Sequence, residues 1–164
     1  MDGRSEAPAL VEARPQALLI AAVRLVLGVA GLVASIAFGV EPGAALGIFV
    51  FGVLILLLAV YGGGRRHRTA LKFADPDPAP ADARIESRSR GLARAMYPST
   101  IGLTVLTAVS LWPQPGLAAL LAGLLAGLAV MSLIGAARLT SWERMRRARI
   151  LVEGKTNRVF EAPQ

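Results

Sequence analysis

The run "GLAALLAGLLAGLAVMSLIGAA", Gly116–Ala137, carries no charge over its whole length and leads directly into "RLTSWERMRRAR", Arg138–Arg149. As a helix it would extend about 33 Å at 1.5 Å per residue, enough to cross about 30 Å of hydrocarbon. An apolar helix that stops at a dense group of arginines reads as a membrane span whose basic end lies among headgroups.

Three more apolar runs obey the same logic. Gln16–Val40 is interrupted only by Arg24, Ala44–Tyr61 holds no charge, and Tyr97–Trp112 is shorter and more polar. Only "EPG" (Glu41–Gly43) separates the first pair, and only "PQPG" (Pro113–Gly116) the second, and turns this short predict antiparallel neighbours. The expected fold is an all-α integral membrane protein with four transmembrane helices in two antiparallel hairpins and a short cytosolic C-terminal β-hairpin. Its expected parts are a cytosolic segment 1–15, a hairpin 16–61, a basic, proline-containing loop 62–96, a second hairpin 97–137 and a basic tail 138–164. "EPGAALG" and "QPGLAALLAG" resemble each other, either through internal duplication or because Pro-Gly suits any tight turn.

The whole chain agrees with a membrane reading: its 164 residues are 54% hydrophobic, with a mean hydropathy of +0.55. The formal charge of +7 would point a soluble protein towards nucleic acid. Here the basic residues lie close to span ends, where anionic lipid is the expected partner and nucleic acid is not. The absence of cysteine excludes disulfides, thiolate metal sites and a cysteine nucleophile.

The distribution of lysine and arginine sets the expected orientation. The two hairpin turns contain none, whereas Arg14, the group Arg65, Arg66 and Arg68, and the group Arg144, Arg146, Arg147 and Arg149 flank the other span ends. By the positive-inside rule both termini and the central loop are expected on the cytoplasmic side of a bacterial cell membrane. "AVYGGGRRHR", Ala59–Arg68, is then the cytoplasmic exit of the second span. A cleaved signal peptide is the competing reading of the first run, opposed by the length of that run and by Asp2, Glu6 and Glu12 before it.

Within the spans, small residues at helical spacing predict close packing, inside the bundle or between protomers: Gly31, Ser35 and Gly39 on the first, Ala119, Gly123 and Gly127 on the fourth. Arg24 lies roughly 9 Å beyond Leu18 along the helix, shallow enough for its side chain to snorkel. With Arg65, Arg66, Arg68, Arg144, Arg146, Arg147 and Arg149 it is expected to meet lipid headgroups. Thr100, Thr104 and Thr107, with Ser110 close by, share one face of the third span. They either line a polar path or bond back to their own helix.

In the loop, "DPDPAPADA" (Asp75–Ala83) reads as an exposed linker, and Arg84–Met96 as a short helix on the membrane surface. "ILVEGKTNRVFEA", Ile150–Ala162, reads as two strands about a turn. A lone hairpin is marginal in water, so docking on the loop or on another protein is expected. Gly154-Lys155-Thr156 is not a phosphate loop, since position 149 is arginine and the residues after Thr156 are strand-like.

His67 stands among arginines, and no catalytic, cofactor or metal residue is assigned. The resulting expectation is a non-enzymatic accessory or scaffold subunit that contacts anionic lipid and a protein partner through its loop and tail. The alternative is a small oligomeric transporter or channel, built from copies of the chain, with the threonine face lining the path and Arg24 selecting anions.

Overall fold

The computed structural model describes residues 9–62, 76–80, 84–85, 99–153 and 159–163. Strand β1 (Ala9–Glu12) runs without a break into helix α1 (Ala13–Ala37), and a tight turn leads to α2 (Pro42–Gly62). Two short strands come next, β2 (Asp77–Pro78) and β3 (Arg84–Ile85), then α3 (Ser99–Ser110), α4 (Pro115–Arg146), β4 (Ala148–Glu153) and β5 (Val159–Pro163). Helices α1, α2 and α4 are long and apolar enough to cross a membrane. Helix α3 is apolar but covers only about 18 Å at 1.5 Å per residue, so three described helices have spanning length where the sequence predicts four.

Helix α4 is the centre of the bundle, and most contacts of α1, α2 and α3 are made with it. The cause is its composition. Ala118, Ala119, Ala122, Gly123, Ala126, Gly127 and Ala129 are all buried on α4, and none holds a neighbouring backbone away. A Cβ added to Gly123 would run into the carbonyl of Phe49, and one on Gly52 would sit 2.5 Å from the carbonyl oxygen of Leu120. The α2–α4 crossing is therefore glycine against glycine. On α1, a Cβ on Gly28 would approach the Ala122 carbonyl oxygen to 2.9 Å, and one on Gly31 would meet Ala122 Cβ at 2.9 Å and Thr107 Cγ2 at 3.0 Å. The two hairpins are not used as equivalents: α1 and α2 touch each other slightly and lean on α4 instead.

Gly31 and Ser35 are buried on α1, and Ala119, Gly123 and Gly127 on α4. Gly39 does not pack inside the bundle. It is exposed, at φ +100°, with nothing near a Cβ built there, and it ends α1 rather than packing it. Its N–H donates to Ile36 O (3.0 Å) and the Val40 N–H to Ser35 O (3.2 Å), the paired bonds of a Schellman turn. After the turn, Glu41 caps α2: its carboxylate accepts from the N–H groups of Gly43 (3.0 Å) and Ala44 (2.8 Å), which lack acceptors inside the helix. Pro115 opens α4, where its missing N–H costs nothing. The two turns meet through Phe38 and Trp112, with ring centroids 6.2 Å apart.

At the opposite end the chain forms a five-stranded sheet in the order β2-β5-β4-β1-β3. The tail strands β4 and β5 pair antiparallel, as the sequence predicts, with Leu151 opposite Phe160 and Val152 opposite Val159. They do not stand alone. Strand β1 pairs antiparallel with β4, placing Val11 opposite Val152, and the edges are two pieces of the central loop, each parallel to its neighbour. One sequence expectation is extended here and one is corrected. The linker "DPDPAPADA" contributes Asp77–Pro78 as an edge strand, extended by the Ala79 N–H donating to Glu161 O (3.0 Å). Arg84 and Ile85 begin no helix but pair with Ala9 and Leu10; residues 86–96 lie outside the described residues. Leu10, Leu151 and Phe160 form the sheet's buried apolar cluster, with Ala79 and Ala162 against it.

The glycine packing and the α2 cap each have a measurable outcome. Gly123→Leu should lower stability by about 1–3 kcal/mol or more, because backbone atoms cannot yield as side chains do. Gly47→Leu, on an apolar helix but with open space around it, should change little, and thermal unfolding in detergent compares the two. For the cap the variable is pH. The Ala44 and Gly43 N–H bonds hold the Glu41 carboxyl below its usual range. Its contribution to stability is therefore full above the ordinary glutamate range and is lost as pH falls through the lowered value. Glu41→Gln should flatten the acid limb of a plot of melting temperature against pH.

Candidate functional site

Two places combine polar chemistry with defined geometry. The first is Arg24. Its side chain does not run free along the helix surface. Nε donates to Thr100 Oγ1 (2.8 Å), Nη1 to Ser132 Oγ (3.1 Å) and Nη2 to Ser99 Oγ at the longer distance of 3.5 Å. Helical side chains lean towards the helix N-terminus, so Arg24 reaches in the direction expected of a snorkelling residue and stops at hydroxyls. Ser132 lies about 7.5 Å before Ala137, the last residue of the α4 apolar run, at 1.5 Å per residue.

The cluster joins three helices: α1 supplies the charge, the first turn of α3 supplies Ser99 and Thr100, and α4 supplies Ser132. Thr100 is buried and Ser99 exposed, so the site is closed on one side and open on the other. The Ser132 hydroxyl donates in turn to Leu128 O (3.0 Å). Further along α3, Thr104 and Thr107 donate to Thr100 O (2.8 Å) and Leu103 O (2.7 Å). Thr107 and Ser110 are buried, and Thr107 packs towards Gly31. This face of α3 lies against the bundle.

The second place is where the helices meet the sheet. Arg147 ends α4 in the left-handed conformation at φ 53°, turning the chain into β4 within one residue. Neighbouring arginines are partly engaged with protein. Arg146 lies 4.8 Å over the Trp142 ring and 3.8 Å from Glu161 Oε2, and Arg149 lies 3.4 Å from Glu12 Oε1. These pairs are largely exposed and contribute about 0–1 kcal/mol each. Arg144 is exposed, and Arg65, Arg66, Arg68 and His67 lie outside the described residues. An open cleft of about 490 Å³ lies between Arg14, Leu18, Glu143 and Arg149. The Glu143 carboxylate there accepts the Ile150 N–H (3.2 Å), tying the last turn of α4 to β4.

Among the described residues no group of three or more His, Asp or Glu side chains is placed to hold a metal ion. Sequence reading singled out Arg24 and the threonines but not Ser99 or Ser132, whose signal is weak: Ser132 is a lone serine in an apolar run and Ser99 stands between Pro98 and Thr100 at the start of another. It also missed Gly28 and Gly52, the backbone contacts of α1 and α2. Comparison of the chain with protein-family models, curated proteins and solved structures finds no match.

The sheet register gives a background-free test, because the chain has no cysteine of its own. Val11→Cys with Val152→Cys should form a disulfide under mild oxidation, since directly opposed residues lie within bridging distance. Val11→Cys with Val159→Cys, two strands apart at roughly 9–10 Å, should not. Non-reducing electrophoresis reads the difference.

Proposed function

We propose that the protein is a multi-pass membrane scaffold: an anchor of four helices that holds a small, rigid sheet against the cytoplasmic face and presents it to a protein partner. The observation that carries this reading is the composition of the sheet. All three segments outside the apolar runs contribute strands to it, and two of them continue without a linker into α1 and α4. A surface coupled this stiffly to the membrane suits positioning of a partner at a fixed height and angle. The fourth crossing is the segment Tyr97–Trp112, in which α3 is the described helix.

The orientation rests on charge. The end carrying the sheet also carries Arg14, Arg138, Arg144, Arg146, Arg147 and Arg149, while the Phe38–Trp112 end has no lysine or arginine. The positive-inside rule places the first end in the cytoplasm of a bacterial cell, where the exposed arginines meet anionic lipid. The scaffold reading is favoured over a pore because the threonine hydroxyls of α3 bond to their own helix or to Arg24: Thr104 and Thr107 to carbonyls of the preceding turn and Thr100 to the guanidinium. Neither reading involves catalysis.

Two measurements test the proposal. Cysteine placed at Gln114 should react with an impermeant maleimide on intact cells, and cysteine at Arg144 only after lysis; the reverse would invert the orientation. Native mass spectrometry of protein extracted with its lipids should show a second polypeptide in fixed ratio, lost when Phe160→Asp disrupts the sheet. A symmetric oligomer of this chain alone, with anion flux in liposomes that Arg24→Leu abolishes, would overturn the scaffold in favour of the transporter.

A further inference from the structure

We propose that Arg24, Ser99 and Thr100 form a binding site for one phosphate group, carried by an anionic lipid or present as free phosphate, between α1, α3 and α4. The inference goes beyond the scaffold role and rests only on the part of that reading that places α1 in the bilayer.

Charge is the first argument. A guanidinium stays protonated in any protein environment, and an unpaired charge within an apolar span is costly. Among the described residues the partners of Arg24 are three neutral hydroxyls. The acidic residues flanking its helix, Glu12 and Glu41, lie roughly 18 Å and 25 Å away along the axis at 1.5 Å per residue. The hydroxyls orient the cation without neutralising it.

The inventory of donors is the second. A guanidinium has five N–H groups and three are used here, which leaves two. Ser99 and Thr100 accept from Arg24, and a hydroxyl that accepts still has its own proton to donate. The first-turn N–H groups of α3 lack acceptors inside the helix, and the helix dipole adds positive potential at that end. A cation beside the positive end of a helix is an unfavourable pair that an anion between them converts into a favourable one. Among the described residues this cluster offers donors and no carboxylate, which disfavours a cation as ligand and fits the oxygens of a phosphate.

Access is the third. Thr100 is buried behind the guanidinium, whereas Ser99 is exposed, so an anion reaches the group from the Ser99 side. The geometry also accounts for the arrested snorkelling. Three hydroxyls hold the guanidinium beside the first turn of α3, where a phosphate drawn in from the leaflet or the cytosol would meet donors already oriented.

The test uses the full chain in a maltoside detergent, which carries no phosphate. Melting temperature is measured for wild type, Arg24→Gln and Arg24→Lys, each alone, with phosphatidylglycerol and with inorganic phosphate. The expected result is that phosphatidylglycerol or inorganic phosphate raises the wild-type melting temperature more than that of Arg24→Gln. The apparent affinity should weaken about tenfold or more in Arg24→Gln, the loss of hydrogen bonds to a charged group, and less in Arg24→Lys. A response to the lipid alone identifies a headgroup site, and a response to both a site for the free anion. Should Arg24→Gln fail to fold, Ser99→Ala supplies the comparison, with a smaller weakening expected. Equal responses in wild type and variants would overturn the site, leaving only general attraction of lipid to the basic tail. A co-purifying polypeptide lost with Arg24→Gln, together with no phosphate response, would overturn it in favour of a partner carboxylate. Retention of every variant in membranes through an alkaline wash tests the bilayer placement separately.

Discussion

Helices surrounded by lipid gain little from burying leucine against leucine, since the hydrocarbon offers the same contact. What holds this bundle is close approach of backbones, and α4 is where it occurs. Gly123 admits the carbonyl of Phe49, Gly52 admits that of Leu120, and Gly28 lies against Ala122 and Ala126. Each contact depends on a missing side chain, and dispersion between surfaces that nearly touch replaces the hydrophobic drive of a water-soluble core. Leu46, Val50, Phe51, Leu54 and Leu58 on α2 remain exposed, as suits a helix whose other face borders hydrocarbon.

The central position of α4 has a consequence outside the apolar layer. The helix continues to Arg146 with no break, turns at Arg147 and becomes β4, so the element that organises the helices also organises the sheet. Strand β1 pairs with β4 on one side and leads into α1. The α1–α4 contact is thus made twice, once between helices and once between the strands joined to them. The two-residue edges from the central loop close the sheet on both sides, and Pro78 at one edge offers no N–H for further pairing. A tail hairpin that would be marginal alone becomes the middle of a five-stranded sheet.

Arg24 shows how the same packing arranges polar groups. The approach of α1 and α3 to α4 that brings Thr107 against Gly31 also brings Thr100 and Ser132 within reach of the guanidinium. Three helices converge on one charge, and they do so with hydroxyls. Among the described residues the arrangement orients the cation with hydroxyls and brings no carboxylate to it, the feature on which the proposed phosphate site rests.

The apolar runs, their turns and the basic ends were legible in the sequence because each depends on residues adjacent in the chain. Hydropathy over a window, Pro-Gly at a turn and arginine beside a span are local signals, and α1, α2 and α4 lie where those signals place them. The paired strands of the tail were legible for the same reason. The rest depended on partners far along the chain. Gly39 has the same spacing from Ser35 as Ser35 has from Gly31, yet it ends the helix, because spacing records a face and not what covers it. Ala9–Glu12 and Arg84–Ile85 are too short to announce themselves as strands; pairing makes them so. Arg24 stands 76 residues from Thr100 and 108 from Ser132, and no local pattern contains that coincidence. The sequence alone determined which segments are apolar enough to leave water and where those apolar runs stop. Tertiary structure decided which helix is central, which strands join the tail and which hydroxyls meet the charge, because each is a contact between distant residues that exists only once backbones have packed.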